Sequence, residues 1–399
     1  MMRKPISVVH FTNSNVLGGA EQHLLTLLRG MDRETFRLAV VCPEEVAEGL
    51  RSEFPGDVRL IPLSLRHLTD WRAAAQLARL LRELSTDILH SHMFHSSLFA
   101  SPIGRLCGVP VIVETPHINE RWRRGPIKGR FIVDRVAGRF VDYYIAVSEA
   151  NARYLISEKG LEARKVEIIP NSCSVRDFNP DRTAPSDLKR KWNLLDGDPV
   201  LVVLARLEPQ KGHDVLLEAM PSILGEFPRT HLFLVGEGAS RLALEAQTKN
   251  LGLQGSVHFT GYRKDVENWL AMADIVVLPS RWEGMPLVAI EALASGRAIV
   301  ATAVDGTPEV VLDGYCGLVV PPESPAPMAA AIARLLREPA LRRIFGQAGR
   351  QRALEHFDSS LQVERTETLY LKALEESTRK PRLTRLQSVR NEATKGSTV

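Results

Sequence analysis

Cysteine is sparse in this chain. Only Cys42, Cys107, Cys173 and Cys316 occur, with no paired spacing. That pattern argues against a zinc site or a disulfide framework and fits a reducing cytosol. Long apolar runs are missing as well. The longest stretch free of Asp, Glu, Lys and Arg lies between Asp87 and Arg105, and it carries His90, His92, His95 and several serines. It is not a membrane span. The opening MMRKPISVVHFTN is basic, but its apolar run is too short for a signal peptide. The formal net charge is only +4, which does not by itself imply nucleic acid. A complete G-x-G-x-x-G is also lacking. After Gly236 and Gly238 the third glycine position holds Arg241, and no acidic residue follows at the expected distance, which weakens a dinucleotide reading.

What is present is a regular alternation. The chain of 399 residues has room for about two domains. Short apolar strands are read at ISVVHF, RLAVVC, VRLIPL, DILHSH, PVIVET, YYIAVS and VEIIPN, and then at PVLVVLAR, HLFLVG, SVHFTG, DIVVLP, RAIVAT and CGLVV. Amphipathic segments such as AEQHLLTLLRGM and HDVLLEAMPSILGEF lie between them. Alternating strand and helix predicts an α/β protein with two doubly wound, Rossmann-like parallel sheets. The polar, turn-rich stretch from about Pro180 to Asp198 reads as the interdomain linker. The expected division is 1–183, 184–350, C-terminal helices over 351–377 packing back on the first domain, and a disordered basic tail over 378–399. In such sheets ligands bind beyond the carboxyl ends of the strands, here in the cleft between the two domains.

Several constellations fall at those ends. Glu283 and Glu291 stand eight positions apart in ADIVVLPSRWEGMPLVAIEALASG. This reads as a strand, a loop and a helix, with Pro286 in the first turn and Gly296 past the end. A helix N-terminus after a parallel strand favours phosphate, and carboxylates beside it suit hydroxyls. Together they fit a nucleotide sugar. In VLARLEPQKGHDVLLEAM, Arg206 ends a strand and Lys211 opens the next helix. A lysine there opposes the helix dipole unless an anion binds, so the pair can clamp a diphosphate. Gly18 and Gly19 open the first helix, where glycines permit close approach of a phosphate or sugar. His92 ends one strand and His117 follows the next, whereas His90 and His95 have no such positional support. Asp196 and Asp198 form an Asp-x-Asp, but Asp-Gly-Asp-Pro is turn chemistry and the metal reading is rejected. Finally, ERWRRGPIKGRFIVDRVAGRF interleaves basic residues over 121–139 with Trp122, Phe131 and Phe140. It suits an anionic membrane surface. Equally, it reads as a solvated helix anchored through Phe131, Val133 and Val136.

These motifs, in order, carry a resemblance. LGGAEQHLLTLL, DILHSHMFHSSL, AVSEANARYL, VEIIPNSCSVRDF, LARLEPQKGHDVLLEA, LVGEGASR, VHFTGYRKDV and EGMPLVAIEALASGRAIVATAVDGTPEVV are similar to the family-four retaining glycosyltransferases of the GT-B fold, over almost the whole chain. The resemblance implies that Glu283 contacts the donor sugar hydroxyls and Glu291 the ribose. It implies that Arg206 and Lys211 bind the diphosphate, and that Gly18 and Gly19 meet the donor phosphate and acceptor. His117 would approach the sugar near the reacting carbon. Backbone at Gly261 and Tyr262 would flank the base, and the helix start at Gly284, Leu287 and Val288 would present amides. No metal and no cofactor are implied. Two positions depart from the pattern: Asp305 stands where glycine is usual, and Asn171-Ser172 where asparagine-glycine is usual. Both are expected to alter loop shape.

The expected activity is transfer of a sugar from a nucleoside-diphosphate donor to an acceptor hydroxyl, with retention, in surface polysaccharide or glycolipid synthesis. The expected location is cytoplasmic or peripheral on the inner face of the membrane. Partners would be the donor and a glycan or lipid-linked acceptor. The alternatives are a nucleotide-sugar epimerase of the same fold and a catalytically silent membrane-associated scaffold.

Overall fold

A computed structural model describes residues 4–13, 18–65, 67, 69–117, 119 and 131–379. The chain divides into two compact units, residues 1–170 together with the chain from Gln362, and Asn171–Leu361.

The first unit holds β1 (Ile6–Thr12), β2 (Phe36–Cys42), β3 (Arg59–Pro62), β4 (Ile88–His92), β5 (Val111–Thr115), β6 (Tyr143–Ala146) and β7 (Val166–Ile168). Their spatial order is β3-β2-β1-β4-β5-β6-β7, and every pairing is parallel. The second unit holds β8 (Val200–Leu204), β9 (His231–Val235), β10 (Val257–Gly261), β11 (Ile275–Leu278), β12 (Ala298–Thr302) and β13 (Leu318–Val320). Its order is β10-β9-β8-β11-β12-β13, again all parallel. Each run read as a strand from the sequence forms one.

Alternation along a single strand shows why both faces are covered. Val8 joins a core with Leu24, Leu28 and Tyr370, while its neighbour Val9 joins a separate core with Leu77, Leu89 and Phe99. Successive side chains point to opposite faces, and here both faces are apolar. In each sheet the strand order reverses beside the first strand, at β1/β4 and at β8/β11. Such switch points leave a crevice at the carboxyl edge.

The division differs from the sequence expectation in two places. The stretch 180–198 lies inside the second unit. Trp192 packs on Phe233 and His258, and the Arg182 guanidinium donates to Asn268. A polar stretch anchored by one aromatic and one arginine reads from composition alone like a linker. The chain also returns later than expected, because the Pro339–His356 helix stays with the second unit. Only Ser359–Arg379 carries the chain back, placing Tyr370 and Val363 in the first core. That helix runs through Arg379, past the expected start of the tail. Residues 380–399 lie outside the described residues.

Candidate active site

In the second unit three loops meet beyond the switch point of the sheet. The loop after β8 turns through a short 3-10 segment, Pro209–Lys211, and Gly212 then caps the His213–Glu226 helix with φ +63°. Lys211 therefore precedes the helix rather than opening it. Gly212 has a steric reason: a Cβ there would lie 2.1 Å from the Pro279 carbonyl oxygen. Only glycine lets this turn rest on the loop after β11. Gln210 fastens the same contact, its amide donating to the Trp282 carbonyl at 2.8 Å.

That packing brings Lys211 to Glu283. The ammonium donates to Glu283 Oε1 at 2.5 Å, and Ser280 Oγ donates to the same oxygen at 2.7 Å. Glu283 is buried. Its Oε2 receives no hydrogen bond from a described residue, so the carboxylate is aimed by one oxygen and left available at the other. The Glu283 backbone is held by Asp305, whose Oδ2 accepts from its N–H at 2.8 Å. Asp305 adopts φ +43°, a conformation glycine takes freely and aspartate tolerates better than most residues. The side chain that replaces the usual glycine thus ties down the Glu283 loop.

Glu291 lies on the Leu287–Ala294 helix, which starts just after Pro286. No described residue donates to its carboxyl group, and burial pushes its pKa up to about 7 although part of the side chain stays accessible. Arg206 is exposed and makes no ion pair with a described residue. Its loop is zipped to the loop after β9: Leu207 N–H donates to the Glu237 carbonyl at 2.9 Å and Ser240 N–H to the Leu207 carbonyl at 2.8 Å. Gly236 and Gly238 permit this, since a Cβ at either would strike the Ala205 or Leu207 carbonyl. The two glycines therefore serve loop packing. Gly261 ends β10 with φ +78°, and Tyr262 beyond it is exposed. The Gly284 carbonyl accepts from Gly306 N–H at 3.1 Å. Leu287 and Val288 open the helix.

In the first unit Gly18 caps the Gly19–Gly30 helix, its N–H donating to the Glu21 carboxylate at 2.8 Å. His117 follows β5 and is buried. It is not alone. His10 from β1, His23 from the helix, and His90 and His92 from β4 gather beside it. His10 Nδ1 lies 3.1 Å from His92 Nε2, and His92 Nδ1 lies 3.4 Å from His117 Nε2. The His23 and His117 rings meet edge to face, 4.7 Å apart. Burial, and then neighbouring imidazoles, hold His90, His92 and His117 well below the usual histidine range, and His10 is pushed down to about 3. Five rings share one pocket. The sequence reading found His92 and His117 but gave no weight to His10, His23 or His90. His90 had no positional support and His10 and His23 were not singled out; the β1–β4 register, which sets His10 beside His90 and Thr12 beside His92, carries no signal in the local sequence.

The anchoring anticipated through Val133 and Val136 is not found. In the Ile132–Ala137 helix these two residues and Ile132 are exposed, while Asp134 and Ala137 are buried. Asp134 turns inward because Lys159 Nζ stands 2.9 Å from it, both side chains being almost fully enclosed. The rest of the basic stretch, 121–130, lies outside the described residues.

Comparison with known proteins shows the family. Residues 186–352 match the family described as glycosyl transferases group 1, and residues 17–175 match glycosyltransferase family 4. A GDP-mannose-dependent alpha-(1-6)-phosphatidylinositol monomannoside mannosyltransferase of Mycolicibacterium smegmatis is 31% identical over 71% of this chain and 76% of its own length. The chain belongs to this glycosyltransferase family. An Escherichia coli UDP-Gal:alpha-D-GlcNAc-diphosphoundecaprenol alpha-1,3-galactosyltransferase is 26% identical over 92% of this chain and 97% of its own. Among solved structures, Anabaena HepE in complex with UDP-glucose superposes with a TM-score of 0.80 at 21% identity, covering 91% of this chain and 99% of that one. That likeness supports the GT-B fold. The relatives named here are all glycosyltransferases, and none supports the epimerase or silent-scaffold alternatives. Among the described residues no helix is long and apolar enough to cross a membrane.

Proposed function

We propose that this glycosyltransferase moves a hexose from a nucleoside-diphosphate sugar to an acceptor hydroxyl with retention, without a metal ion. The observation that carries the reading is the Lys211–Glu283 pair at the β8/β11 switch point. It sets a cation for phosphate beside a carboxylate whose second oxygen is open to a sugar hydroxyl. Departure of the diphosphate concentrates negative charge on its oxygens. Lys211, Arg206 and the amides at the start of the Leu287–Ala294 helix oppose that charge. Gly284 stays close to those amides in the same loop. Glu291, with no partner for its carboxyl group among the described residues, takes the ribose hydroxyls. Gly261 and Tyr262 flank the base. In the first unit Gly18 and Gly19 offer backbone to phosphate and acceptor, and His117 serves the sugar near the reacting carbon. No enzyme nucleophile is assigned, because the leaving phosphate can assist attack on the same face.

The relatives named above use UDP-Gal and GDP-mannose and act on lipid-linked acceptors. A lipid-linked or surface-polysaccharide acceptor fits the exposed Ile132, Val133 and Val136, which alternate with Arg135 and adjoin Arg139. Apolar groups ringed by cations suit an anionic bilayer surface. On this reading the protein works at the cytoplasmic face of the membrane. A thermal-shift panel of UDP, GDP, ADP and their sugars tests the donor grip. Stabilisation by one base class, lost in Lys211→Ala, supports it, and no response to any nucleotide refutes it. Anionic vesicles test the surface: Val133→Asp with Val136→Asp should abolish co-sedimentation.

A further inference from the structure

We propose that Arg281 is a positioning residue of the donor site: forked onto Asp214, it holds the turn bearing Lys211 against the loop bearing Glu283. The assignment rests on the proposed phosphate role of Lys211. Arg281 lies in the loop after β11, two residues before Glu283. Its backbone N–H donates to the Gln210 carbonyl at 2.8 Å, and its Nη1 donates to the Pro209 carbonyl at 2.7 Å. Those are the carbonyls of the two residues directly before Lys211. One residue thus grips the β8 loop just ahead of the cation and belongs to the β11 loop just ahead of the carboxylate.

The guanidinium is itself held on two further sides. Asp214, in the first turn of the His213–Glu226 helix, accepts from Nη1 at 2.9 Å and from Nη2 at 2.7 Å. A fork of this kind fixes orientation as well as distance. Hydrogen bonds from Arg281 hold the Asp214 carboxyl below its usual range, so the fork stays charged at neutral pH. On the other side Nε donates to Glu323 at 2.8 Å, in the loop after β13. Glu323 is mostly exposed, and such a screened pair adds little. Asp214 is therefore the anchor that matters. A lysine could not replace the arginine, because a single ammonium has no planar fork to span both Asp214 oxygens and the Pro209 carbonyl. The brace is needed because Lys211 ends a single 3-10 turn, a geometry with poorer hydrogen bonds than an α-helix. The lysine stem is itself flexible, so the turn beneath it sets where the ammonium can reach.

An ion pair that served only the fold would weaken every function of the site alike. A positioning residue acts through Lys211 and matters only while Lys211 is there. A double-mutant cycle on nucleotide affinity separates the two roles. The full chain is titrated calorimetrically with UDP and with GDP, and the nucleotide that the wild type binds is carried through the cycle. Asp214→Asn and Arg281→Lys should each weaken its affinity about tenfold, the scale of one lost charge-assisted hydrogen bond. In the Lys211→Ala background the same substitutions should change affinity by less than about threefold. Circular dichroism checks that each variant is folded, and Asp214→Asn carries the cycle by itself where Arg281→Lys does not fold. Equal losses in both backgrounds overturn the proposal, as does wild-type affinity in both single variants. Lys211→Ala binding as tightly as the wild type, or a wild type that binds neither nucleotide, would instead sink the clamp itself, and the positioning role with it.

Discussion

The amide of Glu283 donates to the carboxylate of Asp305 across 2.8 Å. The residue that breaks the family's glycine pattern is therefore the one that fixes the loop bearing the carboxylate proposed to face the sugar. Asp305→Asn keeps an acceptor and should leave turnover near normal. Asp305→Val loses the acceptor and takes a β-branched side chain into φ +43°. A lost hydrogen bond to a charged group is worth about 1.5–3 kcal/mol, so kcat/KM should fall roughly tenfold or more. Steady-state kinetics of the two variants side by side decide the matter. Equal activity would show that the loop needs no such tie.

Lys211→Ala removes both the proposed phosphate cation and the partner of Glu283 Oε1. A drop in kcat of about 10²–10³ is expected, as when one charge-stabilising donor is lost. Single-turnover assays separate this from weaker donor binding. Near-normal turnover would dissolve the clamp.

Glu291 makes stability depend on pH in a stated direction. Its carboxyl pKa is raised from about 4.5 to about 7 by burial. The native state therefore holds this proton more firmly than the unfolded chain does. The resulting stability is full below about pH 4.5, declines as pH rises through about 7, and is gone above it. Its size is on the order of 3 kcal/mol. Glu291→Gln should flatten that part of the denaturation profile. Glu291→Ala should chiefly weaken nucleotide affinity, read by calorimetry, and an unchanged affinity would remove the ribose role.

Asp134 and Lys159 form a buried pair 2.9 Å apart. Removing Lys159 takes this ion pair from a buried carboxylate, so Lys159→Met should cost about 3–5 kcal/mol. The double variant Asp134→Leu with Lys159→Met should regain most of it. Chemical denaturation of the three proteins checks this, and additive losses would argue against coupling.

The sheets were legible because each strand is a short β-branched run between turn signals, and the pattern survives without tertiary help. Glu283, Lys211 and Glu291 were legible for a related reason: each falls at a fixed place relative to a strand end. The histidine group was not, since its members are spread from His10 to His117 and meet only in the folded unit, through the β1–β4 and β4–β5 pairings and the packing of the Gly19–Gly30 helix. The unit boundary was also hidden. Turn-rich composition marks the polar stretch near 180–198, whereas Trp192 and Arg182, which bind it to the second unit, give no local signal. Val133 and Val136 misled because apolar periodicity does not show that the buried side of the helix is claimed by Asp134.

The last helix has a consequence for synthesis. His90 receives the Tyr370 hydroxyl from a residue 280 positions later. A ribosome completes all thirteen strands found among the described residues before that hydroxyl emerges. The later unit can close while the earlier one still lacks part of its core, inverting the usual N-terminal-first order of domain folding. A nascent chain stalled before Gln362 should thus present an unfinished first unit to chaperones and proteases, and emergence of the last helix should be the event that finishes it.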